Sequence, residues 1–284
     1  MTESSALKSK FLQLDTIKLH YLEGPLNGPT VLLLHGLTAN AHAFDGILEA
    51  GLANDFHILS VDLRGRGLSE APETGYTMMH HTKDIIELLD ALQIESIPIA
   101  GHSFGGFLGL YLAYYYPDRV SKLILMDAAA RMHPLTKEML SPALMRLEKI
   151  YESFEAYLQI VKQAPYLKEW DQHMLSYYQA DVQTLQNGTV QCIPKMQHMM
   201  EAVLKGSLGE PWIDYLKSVQ HPTLLINAPG IYNLGAALLP EDLAMETVNL
   251  MPNCTYAGVY GNHQTMLYGE GAKEIVSLIH HFIK

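Results

Sequence analysis

Three short segments of this 284-residue chain carry residue types that could do chemistry together. The first is Gly101-His102-Ser103-Phe104-Gly105, set between the apolar run Ile97-Pro98-Ile99-Ala100 and a helical pattern that begins near Gly106 and stops at Pro117. A G-x-S-x-G between strand and helix is a nucleophile elbow. The turn is so tight that side chains two residues either side of the serine would collide with their neighbours. Glycine removes them and leaves Ser103 in a strained conformation with its hydroxyl exposed. A serine hydroxyl is a weak nucleophile until a base takes its proton, so Ser103 calls for a histidine. His263, the second element, lies in Tyr260-Gly261-Asn262-His263-Gln264, between the last expected strand and the C-terminal helix. The third is Leu34-His35-Gly36-Leu37-Thr38, which follows a central strand. There the Leu37 amide could donate to an oxyanion, with the Phe104 amide, at the start of the elbow helix, as the second donor. His35 reads as a loop-fixing residue.

Such groups must be delivered to one place by the fold. Phe11-Leu12-Gln13-Leu14 and Ile17-Lys18-Leu19-His20-Tyr21 alternate as an antiparallel pair does. Thr30-Val31-Leu32-Leu33-Leu34 is continuously apolar, as a strand buried on both faces should be. Ile58-Leu59-Ser60-Val61, the elbow strand, Leu123-Ile124-Leu125-Met126, Thr223-Leu224-Leu225-Ile226 and residues 255–259 complete the set. Helical patterns over residues 77–92, after the elbow and over 272–283 alternate with them. This is the rhythm of an α/β fold with a mostly parallel, doubly wound sheet. In such a sheet, loops at the C-terminal ends of the strands form one edge where sites lie. Residues 131–215 break the rhythm. They are rich in Met, Tyr, Leu and Gln, with a helical pattern across 139–157, and read as a helical cap inserted at the edge that carries the elbow. The expected division is core, 1–130 and 216–284, and cap, 131–215.

Composition removes several classes. The formal net charge of −11 and the lack of a basic run exclude nucleic acid and an anionic membrane surface as partners. Cys192 and Cys254 have no zinc spacing and read as unpaired thiols in a reducing compartment. Residues 1–10 contain no apolar leader core, and nothing reaches the roughly 18 apolar residues of a membrane span. The expectation is a cytoplasmic protein. Of the 14 histidines, His80, His81, His280 and His281 read as surface or satisfied residues, and His102 as directed away from Ser103.

Leu34-His35-Gly36, Asp62-Leu63-Arg64-Gly65-Arg66-Gly67-Leu68-Ser69, the elbow and Gly261-Asn262-His263 together resemble the α/β-hydrolase superfamily in order and spacing. The resemblance runs over nearly the whole chain outside the cap. Within the superfamily it is to capped esterases, lipases, carbon–carbon bond hydrolases and cofactor-free haloperoxidases. It implies a triad acid, usually Gly-x-x-Asp after the penultimate strand. Here that loop, Asn227-Ala228-Pro229-Gly230-Ile231-Tyr232-Asn233-Leu234-Gly235, has no carboxylate. Asn233 is its nearest polar candidate, and Glu241 and Asp242 read as helix-start residues. Some members carry the acid one strand earlier, a place that Asp127 occupies here, although an Asp there also serves as a turn or cap residue. Asp127 is taken as the acid.

The resulting expectation is a serine hydrolase. Ser103 attacks, His263 is the base, Asp127 orients it, and the Leu37 and Phe104 amides hold the oxyanion, with no cofactor and no metal. The substrate would be a small to medium apolar ester. Two alternatives stay open. One is a carbon–carbon bond hydrolase of ring-cleavage products, which needs basic residues such as Arg131 or Arg146 in the pocket. The other is a ligand receptor with the same fold that has lost turnover.

Overall fold

The computed structural model describes residues 7–284, so residues 1–6 of the segment read for a leader lie outside the described residues. Eight strands form one sheet: β1 (Lys8–Gln13), β2 (Lys18–Glu23), β3 (Thr30–Leu34), β4 (His57–Val61), β5 (Ile97–His102), β6 (Val120–Met126), β7 (Thr223–Asn227) and β8 (Cys254–Gly258). Their spatial order is β1-β2-β4-β3-β5-β6-β7-β8. β1 and β2 pair antiparallel, as their alternation predicts, and β2 also runs antiparallel to β4; every later pairing is parallel. Leu32, Leu33 and Leu34 of β3 are wholly buried, which is why that strand is apolar without alternation. Each such side chain contributes about 1.5–3 kcal/mol of burial free energy.

Helices cover both faces of the sheet. Met78–Ala91 and Phe104–Tyr115 pack on each other, and Gly269–Ile283 packs against Asp45–Glu49. The parallel order places the ends of β3, β5, β6, β7 and the loop after β8 along one edge. Residues 34–38, Ser103, Asp127, Asn227 and His263 are therefore neighbours although they span most of the chain.

The interval 131–215 departs from the expected all-helical pattern. The helix predicted across 139–157 is broken into Thr136–Met145, a 3-10 turn Arg146–Glu148, a strand Ile150–Tyr151, and a new helix, Phe154–Lys162. Ser153 ends the break, because its side chain accepts from the Ala156 amide as an N-cap. The strand pairs with Val190–Cys192, which pairs with Val182–Thr184, in a three-stranded antiparallel sheet. Strands of two or three residues are too short to show alternation. The expected boundary at 215/216 falls inside helix Trp212–Ser218, which packs on the elbow helix; Tyr215 stacks on Tyr114 at 4.2 Å.

Candidate functional site

Ser103 follows β5 directly and holds φ 53° and ψ −117°, a region that few non-glycine residues adopt. Its amide donates to the Met126 carbonyl at 2.9 Å, which ties the turn to the neighbouring strand. A Cβ at Gly101 would strike the Gly105 carbonyl, and one at Gly105 would strike the Leu34 carbonyl. Glycine at both positions is what permits the turn. Phe104 opens the following helix, so its N–H has no intrahelical acceptor. Among the described residues, neither the Phe104 nor the Leu37 amide donates a hydrogen bond. Across the turn, Gly36 approaches both the His102 ring and the Ser103 Cβ.

His263 Nδ1 lies 2.7 Å from Asp127 Oδ2, and both groups are buried. Asp127 also takes a left-handed conformation, φ 51°. Its other oxygen, Oδ1, accepts from Asn227 Nδ2 at 2.8 Å and from the Ala228 amide at 3.0 Å. Asn227 is held in turn by the Leu239 carbonyl and the Tyr256 hydroxyl. The Asp127 carboxylate thus meets three donors across its two oxygens. Ser103 Oγ makes no hydrogen bond among the described residues, although Ser103 and His263 line one cavity.

His102 lines the cavity as Ser103 does, and its Nε2 donates to the His263 carbonyl at 2.8 Å, a partner that the sequence did not point to. Burial, with the His263 ring beside it, keeps it neutral by pushing its pKa well below the usual imidazole range. Asn262 fixes the same loop from the other side, donating to the Tyr166 and Ile231 carbonyls while accepting from the Gln264 and Thr265 amides. His35 is held as expected, with Nδ1 on the Gly36 carbonyl and Nε2 accepting from Leu63; burial lowers its pKa to about 4. Asn233 is not at the site, since its amide donates to the Met139 carbonyl. Glu241 and Asp242 start helix Glu241–Leu250, as read.

The cavity is small, about 70 Å³, and is walled by Leu37, Leu140, Leu144, Tyr166, Tyr232 and Leu267 among others. Arg146 also reaches it. Its guanidinium pairs with Asp181 at 3.1 and 3.2 Å, and Tyr157 donates to the same carboxylate. Burial opposes the Arg146 charge, but Asp181 with Tyr157, Tyr177 and Cys192 together outweigh it and hold the pKa well above the ordinary value. Arg131 is exposed and pairs with Glu246 at 3.0 Å. Among the described residues no cluster of metal-ligating side chains occurs, no helix is long and apolar enough to cross a membrane, and both cysteines are free thiols. The arrangement brings the Ser103 hydroxyl, the His263 imidazole bonded to a buried carboxylate, and Leu37 to the wall of one cavity, with Phe104 next in sequence to Ser103.

A family model for the α/β hydrolase fold matches residues 29–196, and the chain belongs to that family. It is 31% identical over 135 residues (46% of this chain, 48% of the relative) to 2-(acetamidomethylene)succinate hydrolase from Mesorhizobium japonicum. It is 39% identical over 106 residues (37% of this chain, 52% of the relative) to the human serine hydrolase-like protein. The chain spans between 30% and 52% of the length of the curated relatives it matches. Among solved structures, E-2-(acetamidomethylene)succinate hydrolase superposes with a TM-score of 0.82 at 23% identity, covering 98% of this chain and 99% of that one. A thioesterase domain from the curacin biosynthetic pathway superposes at 0.75 with 21% identity, covering 96% and 99%. The protein is an α/β hydrolase with hydrolase relatives.

Proposed function

We propose that this α/β hydrolase cleaves a carboxylic ester, or a closely related acyl bond, through an acyl-enzyme on Ser103. The observation that carries the reading is the 2.7 Å contact between His263 Nδ1 and the buried Asp127 carboxylate. It puts the imidazole proton on Nδ1 and leaves Nε2 as the basic atom. Ser103 gives its proton to His263 while its oxygen attacks the acyl carbon. The Leu37 and Phe104 amides receive the oxyanion, and the protonated imidazole then gives its proton to the leaving alcohol. Water repeats the sequence and frees the acid. The interval 131–211 acts as a cap that closes the apolar cavity, and the small volume favours a small acyl group. The test is a fluorophosphonate, which should label Ser103 in the unmodified protein and leave Ser103→Ala unlabelled. Labelling elsewhere, or full esterase activity in Ser103→Ala, would sink the assignment.

One observation supports a second substrate reading on the same machinery. Arg146 reaches the cavity, as a carbon–carbon bond hydrolase of acidic substrates would require. Its charge is already matched by Asp181, so the cavity wall is closer to neutral than to cationic. This balance favours the uncharged ester. Hydrolysis rates on paired neutral and carboxylate-bearing esters of one size separate the two readings.

A further inference from the structure

Among the described residues Arg66 is the largest wholly buried side chain, and it lies outside the cavity wall. Its Nε donates to the Leu37 carbonyl at 2.9 Å, and its Nη1 donates to the Arg64 carbonyl at 2.7 Å and to His81 Nε2 at 2.9 Å. The guanidinium carbon sits 5.6 Å from the centre of the Phe104 ring and 5.8 Å from that of Tyr76. Nη2 is buried with no partner. Among the described residues no carboxylate pairs with this cation, because Asp84 is taken by Arg64 at 2.6 Å. Burial lowers the Arg66 pKa only to about 9, so the group stays charged at neutral pH. Burial and the Arg66 charge together keep His81 neutral, as an acceptor must be.

A buried cation with no carboxylate partner and an idle N–H is costly to keep in a core. The two residues that Arg66 touches toward the site are Leu37 and Phe104, whose amides are the two free donors. We propose that Arg66 is a positioning residue for the oxyanion hole: it clamps the Leu37 carbonyl and packs on the Phe104 ring, which holds both amides in register for the oxyanion. Its uncompensated charge adds to the field that the developing negative charge feels. This inference rests on the acyl-enzyme reading above.

The test is Arg66→Met, close in volume and uncharged, with Arg66→Lys beside it. Arg66→Met should lower kcat about 10²-fold, the scale of a donor misplaced by about 1 Å. KM for a neutral ester should change by less than about threefold, because a carbonyl oxygen draws less on the hole than an oxyanion does. Affinity for a boronate, whose adduct is anionic and tetrahedral, should fall by the factor seen in kcat. Because the Leu37 and Arg64 carbonyls and His81 Nε2 each lose a donor, the melting temperature should fall by some degrees, and rates are therefore measured well below it. Arg66→Lys keeps the charge but not the fork and should recover only part of kcat. A folded Arg66→Met with kcat within about twofold of the unmodified protein overturns the inference. So does a loss of activity that only follows a fall in melting temperature, or failure of both variants to fold, since each makes Arg66 a core residue alone. An unmodified protein inert to esters and to fluorophosphonate instead removes the acyl-enzyme reading, and the inference goes with it.

Discussion

Replacing Asp127 with asparagine isolates what its carboxylate does, because the side-chain volume hardly changes and its surroundings fix how an amide would sit. Oδ1 accepts from two donors that cannot reverse, Asn227 Nδ2 and the Ala228 amide. In Asp127→Asn the new side-chain carbonyl oxygen must therefore take that side, since an NH₂ there would oppose two N–H groups. The NH₂ then faces His263 Nδ1, which is 2.7 Å from Oδ2 in the parent. Nδ1 becomes an acceptor and the imidazole proton moves to Nε2, the atom that should receive the Ser103 proton. The wrong tautomer lowers turnover by about 10⁴ in the comparable serine-protease substitution. At about 1.4 kcal/mol per factor of ten, this is roughly 5–6 kcal/mol of barrier. Folding should survive, because both Oδ1 bonds remain and the lost charge-assisted bond is worth about 1.5–3 kcal/mol. The assay is kcat on a chromogenic ester near neutral pH, with circular dichroism to verify folding. Asn233→Asp serves as the contrast and should change kcat by less than about threefold, since its side chain faces Met139. A folded Asp127→Asn within tenfold of the parent would refute the reasoning, as would a marked gain in Asn233→Asp.

Two further outcomes are expected. Leu144→Ala enlarges the cavity wall; the kcat/KM ratio of longer to shorter acyl esters should rise about tenfold, within the range that a few methylenes command, and an unchanged ratio would remove Leu144 from the acyl pocket. His35, His81 and His102 are buried with lowered pKa values, His35 to about 4, so each binds its proton more readily in the unfolded chain. Their contribution to stability is complete above about pH 6.5 and is lost as pH falls toward each folded value. For His35 the loss reaches roughly 3 kcal/mol by pH 4, at about 1.4 kcal/mol per unit. Urea midpoints measured from pH 7 to pH 4 should drop accordingly, and a flat profile would contradict the buried neutral imidazoles.

Residues whose role depends on local sequence were legible in the chain. The elbow glycines, the apolar β3 run and the acid-rich start of helix Glu241–Leu250 each act through neighbours within a few positions. The partner of His102 was not legible, because the His263 carbonyl lies 161 positions away and leaves no mark on the sequence around it. The short strands of the 131–215 interval were missed because their pairing, with Ile150 opposite Gln191, is equally nonlocal. Arg66 stood in the segment Asp62 to Ser69 with no role of its own; only the packed structure shows that its fork reaches Leu37.

The carboxylate-free loop after β7 and the acid after β6 are two sides of one arrangement. In the sequence, the loop looked like a defect, because the usual place for an acid is empty. In the fold, β6 and β7 are adjacent, and Asn227 ends β7 directly beside Asp127. An aspartate at 227 would replace a donor with a second carboxylate across the 2.8 Å now spanned by a hydrogen bond. Two carboxylates at that distance cannot both stay ionised, and one would take up a proton. The charge facing His263 would then be shared, and its hold on the Nδ1 proton weakened. An amide at 227 does the reverse, since it donates to Oδ1 and leaves Oδ2 free for the imidazole. With the acid just after β6, the end of β7 has to supply a neutral donor, and asparagine does so without changing the length of the strand.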